Sequence, residues 1–444
     1  MSDGIPPVSP VPSSQLADAM RDARKRTLEL VDGLTGEQLM GPRLRIVNPM
    51  LWEIGHAAWF HEHFILNRAY GREPLMPAAS ALYDSIAIHH DERWDLPLPT
   101  LDQTLEYMQL VQDTLLERLR GNFASLRDCY LYQFTTFHED MHDEAFTWTR
   151  QTLAHPTPDF AIARDPGPPA DAQAGPLDGD VAVPGGTFML GAFGDAPFVF
   201  DNEKWCHPVP IEPFRIARAP VTNTQFAAFV DGGGYDDERL WEPAGWAWRQ
   251  RADAEHPIYW QRDGAGGWLQ RRFERWVELP PDQPVIHVNW FEAKAWCRWA
   301  NRRLPSEAEW ESAALGRPTT RGELDEEKTR YPWGDEPPGL ARCNLDGRSL
   351  GPIDVAALPA TDSQFGCRQM LGNVWEWCAN RFLPYPGFTP DAYKEYSQTL
   401  FGHTRVLRGG AWVTRSRMVS GLYRNFFGPD RRDVMAGFRT CAND

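Results

Sequence analysis

The segment at residues 137–144 constrains the fold of this chain more than any other stretch, because it carries two histidines four positions apart. It lies within a run, residues 126–153, whose pattern predicts one long helix. One helical turn places residues i and i+4 on the same face, so His138 and His142 present both imidazoles on one side. Two imidazoles arranged in this way form half of a metal site.

A third metal ligand has to come from another part of the chain. The best donor is His56, which lies in a second predicted amphipathic helix around residues 52–60. Three neutral imidazoles with open coordination positions suit iron, copper or zinc, because nitrogen ligands favour borderline metals. The spacing also fits ordinary surface or core histidines that bind nothing, since such pairs arise by chance on helices.

Helical periodicity extends over residues 13–154 and predicts a four-helix bundle. Asn48 is the expected cap of the helix that carries His56, with Pro49 at its first position. Thr100 and Gln103 form a capping-box pattern before the next helix. Bundles place metal sites between facing helices, which agrees with the three histidines.

The composition changes after the predicted bundle. Pro, Gly, Asp and Ala dominate residues 155–182, which predicts an interdomain linker, and residues 1–12 predict a disordered tail. Residues 183–444 combine short apolar segments with Trp and Gly-Pro turns, and clear helices begin only after Asn289 and at Ser306. The expected fold class is therefore α+β multidomain, a helical bundle followed by a loop-rich domain.

The net charge and the cysteines indicate which kinds of partner and which cellular compartment to expect. The net charge of −16 argues against nucleic acid as a partner, because phosphate binding needs a basic face. The seven cysteines form no CxxC pair, and their number is odd, which favours a reducing compartment over a disulfide framework. No signal-peptide pattern or apolar run of about 20 residues is present. We expect a soluble, cytoplasmic protein without a membrane partner.

The C-terminal part carries six motifs in order. They lie at residues 183–191, 220–223, 303–311, 331–335, 372–377 and 408–412. This series resembles the formylglycine-generating-enzyme, or sulfatase-modifying-factor, domain, which is related to C-type lectins. The N-terminal part, with its His-x-x-x-His-x-Glu pattern, resembles a DinB-like bundle. The pairing of the two resembles the ergothioneine-biosynthetic sulfoxide synthases and their relatives, including selenoneine synthase.

This resemblance implies an activity and a cofactor. It implies a non-haem Fe(II) held by His56, His138 and His142, which uses O2 to join a chalcogen donor to the C2 carbon of hercynine, the trimethylated betaine of histidine. Holding both reactants at one metal removes the entropy cost of bringing them together. Glu144 completes the family motif but lies two residues beyond His142, off the ligand face, so we expect it to support the site rather than to ligate.

The chain departs from the sulfur-using members of the family at several substrate positions. The resemblance implies that Asn425 and Phe426 flank the hercynine betaine. Phe427 stands where enzymes that use γ-glutamylcysteine have an Asp, and Met141 stands where they have a Gln. Arg93 is the single counterpart of their Arg pair. These changes favour a donor without amino-acid groups. The segments at residues 80–85 and 93–97 resemble the selenoneine-synthase branch, and this resemblance implies a selenosugar donor and selenoneine as product. The alternative is a sulfoxide synthase that uses γ-glutamylcysteine or cysteine.

Further residues have two interpretations. Tyr385, in the turn at residues 384–388, is the candidate proton donor, and packing of its ring on the turn is the alternative. His61 and His63 are expected to lie off the His56 face and to be exposed. Cys378 follows the Trp-Glu-Trp motif, but the C-terminal cysteine pair of formylglycine-generating enzymes is missing, so that activity is not expected.

Two other classes of function remain open from the sequence. One is a DinB-type thiol transferase that uses zinc or nickel. The other is a non-catalytic protein whose C-terminal domain binds a saccharide. Iron-dependent O2 uptake in the presence of hercynine separates both from the oxygenase.

Overall fold

The computed structural model describes residues 8–120, 124–339 and 342–443, and it divides into two compact units. The first unit comprises the described residues up to Phe160 together with Gly194–Val199. The second comprises Ala161–Phe193 and the described residues from Phe200 onward. Within these described ranges, every helix is too short or too polar to cross a lipid bilayer.

The first unit is built from helices. They are α1 Ser13–Val31, α2 Gly36–Met40, α3 Met50–His61, α4 Ala79–Tyr83, α5 Leu101–Leu119 and α6 Leu126–Thr152. A wider π-type helix over Glu62–Ala69 continues α3 without a break. Helix α1 packs on α6, and α3 packs on both α5 and α6. The contact between α3 and α6 is the one that positions the predicted ligands.

The helix ends confirm one predicted cap and contradict another. Thr100 and Gln103 make both hydrogen bonds of the capping box at the start of α5. The predicted Asn48 cap is wrong, because Pro49 occupies the N-cap position of α3 and no side chain caps this helix. Instead, Asn48 Oδ1 accepts a hydrogen bond of 2.6 Å from Arg93 Nη1. A charged donor gives a stronger bond than a backbone N–H, which accounts for the different partner.

The structure describes the predicted disordered tail, residues 1–12, only from residue 8 onward, and its disorder stays a prediction. Residues 1–7 lie outside the described residues, whereas the backbone of the following segment is tied to the first unit. Ser9 N donates to Pro197 O at 3.0 Å, and Val11 N donates to Cys129 Sγ at 3.3 Å. The Phe198 ring stacks on Tyr130, 5.7 Å between centroids, so the segment Gly194–Val199 belongs to the first unit.

The second unit combines short helices with short strands. The helices are α7 Ala161–Arg164, α8 Asn223–Asp231, α9 Pro243–Arg251, α10 Trp290–Trp299 and α11 Glu307–Leu315. The strands are β1 Asp180–Val183, β2 Gly186–Leu190, β3 His207–Ile211, β4 Phe214–Ala217, β5 Trp260–Arg262, β6 Trp268–Arg272, β7 Arg275–Glu278, β8 Arg302–Arg303, β9 Gly316–Pro318, β10 Leu324–Lys328, β11 Trp375–Arg381, β12 Arg405–Arg408, β13 Arg424–Phe427, β14 Ala436–Gly437 and β15 Cys441–Ala442.

These strands form several small sheets. One sheet has the order β1-β4-β15-β8. A second has the order β13-β12-β11-β14, in which only the β11–β14 pair is parallel. A three-stranded meander β5-β6-β7 and the pairs β2-β3 and β9-β10 complete the described strands.

The segment predicted as a linker, residues 155–182, differs from a free connector. Strand β1 already begins at Asp180. Arg348 Nε donates to Gly167 O at 2.8 Å, and Gly175 N donates to Asp354 Oδ2 at 3.0 Å. Because the second unit satisfies these backbone groups, the Pro- and Gly-rich stretch from Ala161 packs as part of that unit.

Candidate metal centre

The fold brings the three predicted histidines together. His56 extends from α3, and His138 and His142 extend from successive turns of α6. The ring centroid of His56 lies 5.2 Å from that of His138 and 4.9 Å from that of His142. The centroids of His138 and His142 are 4.5 Å apart. One nitrogen from each ring lies within 4.8 Å of the others, which is close enough for all three to hold one metal ion.

Hydrogen bonds fix which nitrogen can bind a metal in two of the rings. His56 Nδ1 donates to the Tyr83 backbone oxygen at 2.7 Å. Because a carbonyl can only accept, Nδ1 carries the proton and Nε2 keeps its lone pair. His142 Nδ1 lies 2.5 Å from Glu53 Oε1, and a proton held between these atoms leaves the lone pair of His142 Nε2 available to a metal. Sequence reasoning missed Glu53, although it stands three residues before His56 on the same helix.

Burial keeps the imidazoles in the form that binds metals. His56 is stacked against Trp52, with 4.8 Å between centroids, and His138 against Phe60, with 3.4 Å between centroids. Burial, and then the neighbouring His142, lowers the pKa of both His56 and His138 well below the ordinary value. Both rings are therefore neutral at physiological pH, and no proton has to leave before they coordinate a cation.

The other predicted residues of the first unit lie near the histidines without joining the metal group. The Arg93 guanidinium lies 4.0 Å from the centroid of the Trp52 ring, on which His56 stacks. Met141 is partly buried, and Glu144 is 7% exposed. The substrate roles of Arg93 and Met141, and the supporting role of Glu144, stay predictions.

The expectation that His61 is exposed is wrong. His61 is 1% exposed, and its Nε2 lies 2.9 Å from Glu139 Oε2. Glu139 also accepts from Arg24 Nε at 2.8 Å and from Thr27 Oγ1 at 3.0 Å. Burial opposes the ionised form of Glu139, but Arg24 and His61 outweigh it and hold the pKa of this carboxyl below its usual range. A buried carboxylate on α6 therefore explains the buried His61, while His63 is half-buried.

In the second unit, the alternation of β13 separates the predicted hercynine-binding residues. Arg424 and Phe426 are buried, whereas Asn425 and Phe427 are only partly buried on the opposite face. The Phe426 ring stacks on Phe382 with 4.1 Å between centroids, in the apolar core. Asn425 and Phe426 therefore point to opposite faces of the strand, and their role in binding hercynine stays a prediction.

Tyr385 lies in a buried network of charges in the second unit. It is 6% exposed, and its hydroxyl donates to Glu307 Oε1 at 3.3 Å. The Arg424 guanidinium lies 4.0 Å from the ring centroid. Burial raises the pKa of Tyr385 well above its ordinary value, and Glu307 raises it further, although Arg424 opposes the shift. These contacts fit the packing interpretation, and the role of Tyr385 as proton donor stays a prediction.

Comparisons with known proteins agree with this architecture. Residues 166–444 match the sulfatase-modifying factor enzyme 1-like domain, and residues 19–146 match the DinB superfamily. The chain is 38% identical to the hercynine oxygenase of Mycolicibacterium thermoresistibile, over 96% of this chain and 94% of that protein. It is 37% identical to the hercynine oxygenase of Mycobacterium tuberculosis, over 96% and 98%. A formylglycine-generating enzyme of Streptomyces coelicolor is 36% identical, over 66% of this chain and 96% of its own.

The relatives that match both parts of the chain are the hercynine oxygenases, whereas the formylglycine-generating enzyme covers two thirds of it. An identity of 37–38% over nearly the full length of both proteins shows that this chain and the hercynine oxygenases belong to one family, and not merely that they share a domain. The chain is therefore an enzyme of the hercynine oxygenase family, in which a DinB domain precedes a sulfatase-modifying-factor domain.

Proposed function

We propose that the protein binds Fe(II) through His56, His138 and His142 and forms a carbon–chalcogen bond at the imidazole C2 of hercynine in an O2-dependent reaction. The observation that carries this proposal is the convergence of three imidazole nitrogens within 4.8 Å of one another. When bound, Fe(II) supplies O2 activation and a template on which two substrates meet.

The donor set and its surroundings fit such a metal. Three neutral nitrogen ligands suit Fe(II) and leave coordination positions for substrates. The backbone oxygen of Tyr83 and the carboxylate of Glu53 orient two of the rings. Zinc or nickel would fit the same ligands, but the full-length relatives are named hercynine oxygenases, which favours oxygen chemistry over a DinB-type thiol transferase or a saccharide-binding protein.

For the donor, we propose a selenosugar, which would make the product selenoneine. Phe427 shares its face of β13 with Asn425, the residue that the family motif assigns to hercynine. A phenyl ring cannot pair with the ammonium group of a γ-glutamyl donor, but it offers an apolar wall to a sugar. Met141, directly before His142, likewise replaces a polar amide by an apolar thioether.

A sulfur donor, γ-glutamylcysteine or cysteine, is the second candidate. It is favoured by the resemblance to ergothioneine-biosynthetic sulfoxide synthases and by the 38% identity to a hercynine oxygenase over 96% of the chain. Both candidates share the metal, the O2 and the hercynine, and they differ only in the chalcogen compound.

A competition experiment separates the two donors. The protein is reconstituted with Fe(II) in air and given hercynine together with γ-glutamylcysteine, cysteine, a thiosugar and a selenosugar. We expect a hercynine–selenium adduct as the main product by mass spectrometry. A γ-glutamylcysteine sulfoxide adduct as the main product would establish the sulfur enzyme instead.

The same assay tests the metal ligands. His138→Ala and His142→Ala each remove one imidazole, and we expect hercynine-dependent O2 uptake to be lost in both. Full uptake in both variants would disprove the proposed metal site. His63→Ala is the matched control, because His63 is a half-buried histidine outside the metal group, and its uptake should equal that of the wild type.

A further inference from the structure

Glu53 is a buried carboxylate that touches a candidate ligand without being one itself. Its side chain is 1% exposed, and Oε1 lies 2.5 Å from His142 Nδ1. Its second oxygen, Oε2, is buried and has no hydrogen-bond partner among the residues that the structure describes. The structure therefore holds a carboxylate in the interior with one partner, an imidazole.

Burying a carboxylate is unfavourable unless a positive charge lies nearby, because the charge loses its hydration. A cation held by Nε2 of His142 would supply positive charge next to Glu53. The Nδ1–H group of the ring would then donate to Glu53. A carboxylate in this position makes the imidazole a stronger ligand and fixes its orientation.

The helix arrangement gives Glu53 a second effect. Glu53 and His56 lie three residues apart on α3. One turn of α3 therefore carries both the candidate ligand His56 and Glu53, which orients the candidate ligand His142 of α6. His56 has only a neutral backbone oxygen, that of Tyr83, on its own Nδ1. The supports of these two rings thus differ, because the support of His56 is a neutral carbonyl and that of His142 is a carboxylate.

We propose that Glu53 is a positioning residue that sets the affinity of the histidine site for Fe(II) by holding the proton and the orientation of the His142 ring. This inference rests on the proposed function, which supplies the metal. Glu53 makes no contact with a substrate in this proposal and acts only through His142.

The test is an anaerobic titration of the full chain with Fe(II) in competition with a chromophoric chelator. Glu53→Gln keeps the shape but removes the charge, and we expect Fe(II) to bind about 10- to 100-fold more weakly. Because binding stabilises the folded state in proportion to affinity, the rise in Tm on adding Fe(II) should also be smaller than in the wild type. Without metal, the variant should melt no lower than the wild type, since a buried charge has been removed.

Glu62→Gln is the matched control. Glu62 is also fully buried in the first unit, but its carboxylate accepts from Tyr107 Oη and Leu75 N rather than from a ligand. We expect this variant to melt lower without metal and to bind Fe(II) as the wild type does. A merely structural role of Glu53 would give the same pattern as Glu62.

Wild-type Fe(II) affinity in Glu53→Gln would overturn the inference. If that variant does not fold, Glu53→Asp keeps the charge but draws it away from Nδ1, and unchanged affinity there would overturn the inference equally. His142→Ala separates this failure from failure of the proposed function. If His142→Ala still binds Fe(II), the metal site itself is contradicted. If His142→Ala loses Fe(II) binding while Glu53→Gln keeps the wild-type affinity, only the role of Glu53 is contradicted.

Discussion

At the scale of single residues, Gly55 shows how a missing side chain shapes the metal centre. A Cβ at this position would lie 2.2 Å from Tyr83 Cζ, far inside contact distance. The Tyr83 backbone oxygen is the acceptor for His56 Nδ1. Glycine inside a helix costs about 1 kcal/mol relative to alanine, and here that cost allows Tyr83 to approach α3 closely.

We predict that Gly55→Ala destabilises the protein by about 1–3 kcal/mol, because the added methyl group must displace Tyr83. Movement of Tyr83 would also loosen the hydrogen bond to His56, so Fe(II) retention should fall. Urea unfolding and Fe(II) titration measure the two effects. Gly36→Ala is the control, since nothing lies within 4 Å of its Cβ position, and it should be neutral or stabilising by up to about 1 kcal/mol. Equal behaviour of the two variants would contradict the packing argument.

At the scale of elements, the alternation of β13 places the residues of Arg424–Phe427 on two faces, one buried and one partly buried. Strand β13 pairs with β12 in regular antiparallel register, with Val406 opposite Phe426 and Arg405 opposite Phe427. The regular register leaves no bulge in which the faces could exchange. We therefore expect donor selection at this strand to depend on Phe427 rather than on its neighbour Phe426.

We predict that Phe427→Asp shifts the product ratio toward γ-glutamylcysteine and away from the selenosugar, because the new carboxylate can pair with an ammonium group. Mass spectrometry of the donor competition gives the ratio. Phe427→Leu is the control, because it keeps an apolar side chain and should leave the preference for the selenosugar in place. A ratio that is the same in both variants would show that this position does not select the donor.

At the scale of the whole molecule, both units contain buried ion pairs, such as Arg24–Glu139 in the first unit, but the elements that these pairs connect differ. The first unit packs long helices, whereas buried charges in the loop-rich second unit connect short helices and strands. Glu307 accepts from Arg408 Nη1 at 2.8 Å and from Arg424 Nε at 2.7 Å, which joins α11 to β12 and β13. Glu311 accepts from Arg408 Nη2 at 2.6 Å and from Lys328 Nζ at 2.7 Å.

These carboxylates predict a dependence of stability on acid. Burial opposes ionisation of Glu307, but Arg424 and Arg408 outweigh it, so the net pKa is lowered. A group with a lowered folded pKa stabilises the protein above its unfolded pKa of about 4.3 and loses that contribution as the pH falls through the folded value. We expect the ionisation of Glu307 to leave the Tm of the full chain unchanged between roughly pH 5 and pH 7. At pH values below about 4, protonation of Glu307 should lower the Tm.

Glu307→Gln isolates that contribution. Removing one partner leaves the guanidinium groups of Arg408 and Arg424 buried without full compensation, so we predict a loss of about 3–5 kcal/mol at pH 7. Differential scanning calorimetry from pH 7 to pH 3 would show a shallower fall of Tm with acid than in the wild type. A parallel fall in both proteins would mean that other carboxylates cause the acid sensitivity.

The sequence by itself determined the features that depend on neighbours along the chain. The one-turn spacing of His138 and His142, the capping boxes at Thr100, Asn289 and Ser306, and the change from helical to loop-rich character follow from rules of local geometry. His56 was chosen as the third donor because it lies in a second predicted amphipathic helix, and the family resemblance then supported that choice, since no spacing rule pairs residues so distant in sequence.

Only the tertiary structure decided the partners that lie far apart in the chain. The bond from His142 to Glu53 and the contact of His61 with Glu139 both depend on how α3 packs against α6. The packing of Phe426 in the core depends on which face of β13 the second unit covers. Packing of one element on another selects a single pair from many that the sequence allows, and neither periodicity nor residue type along the chain records that choice.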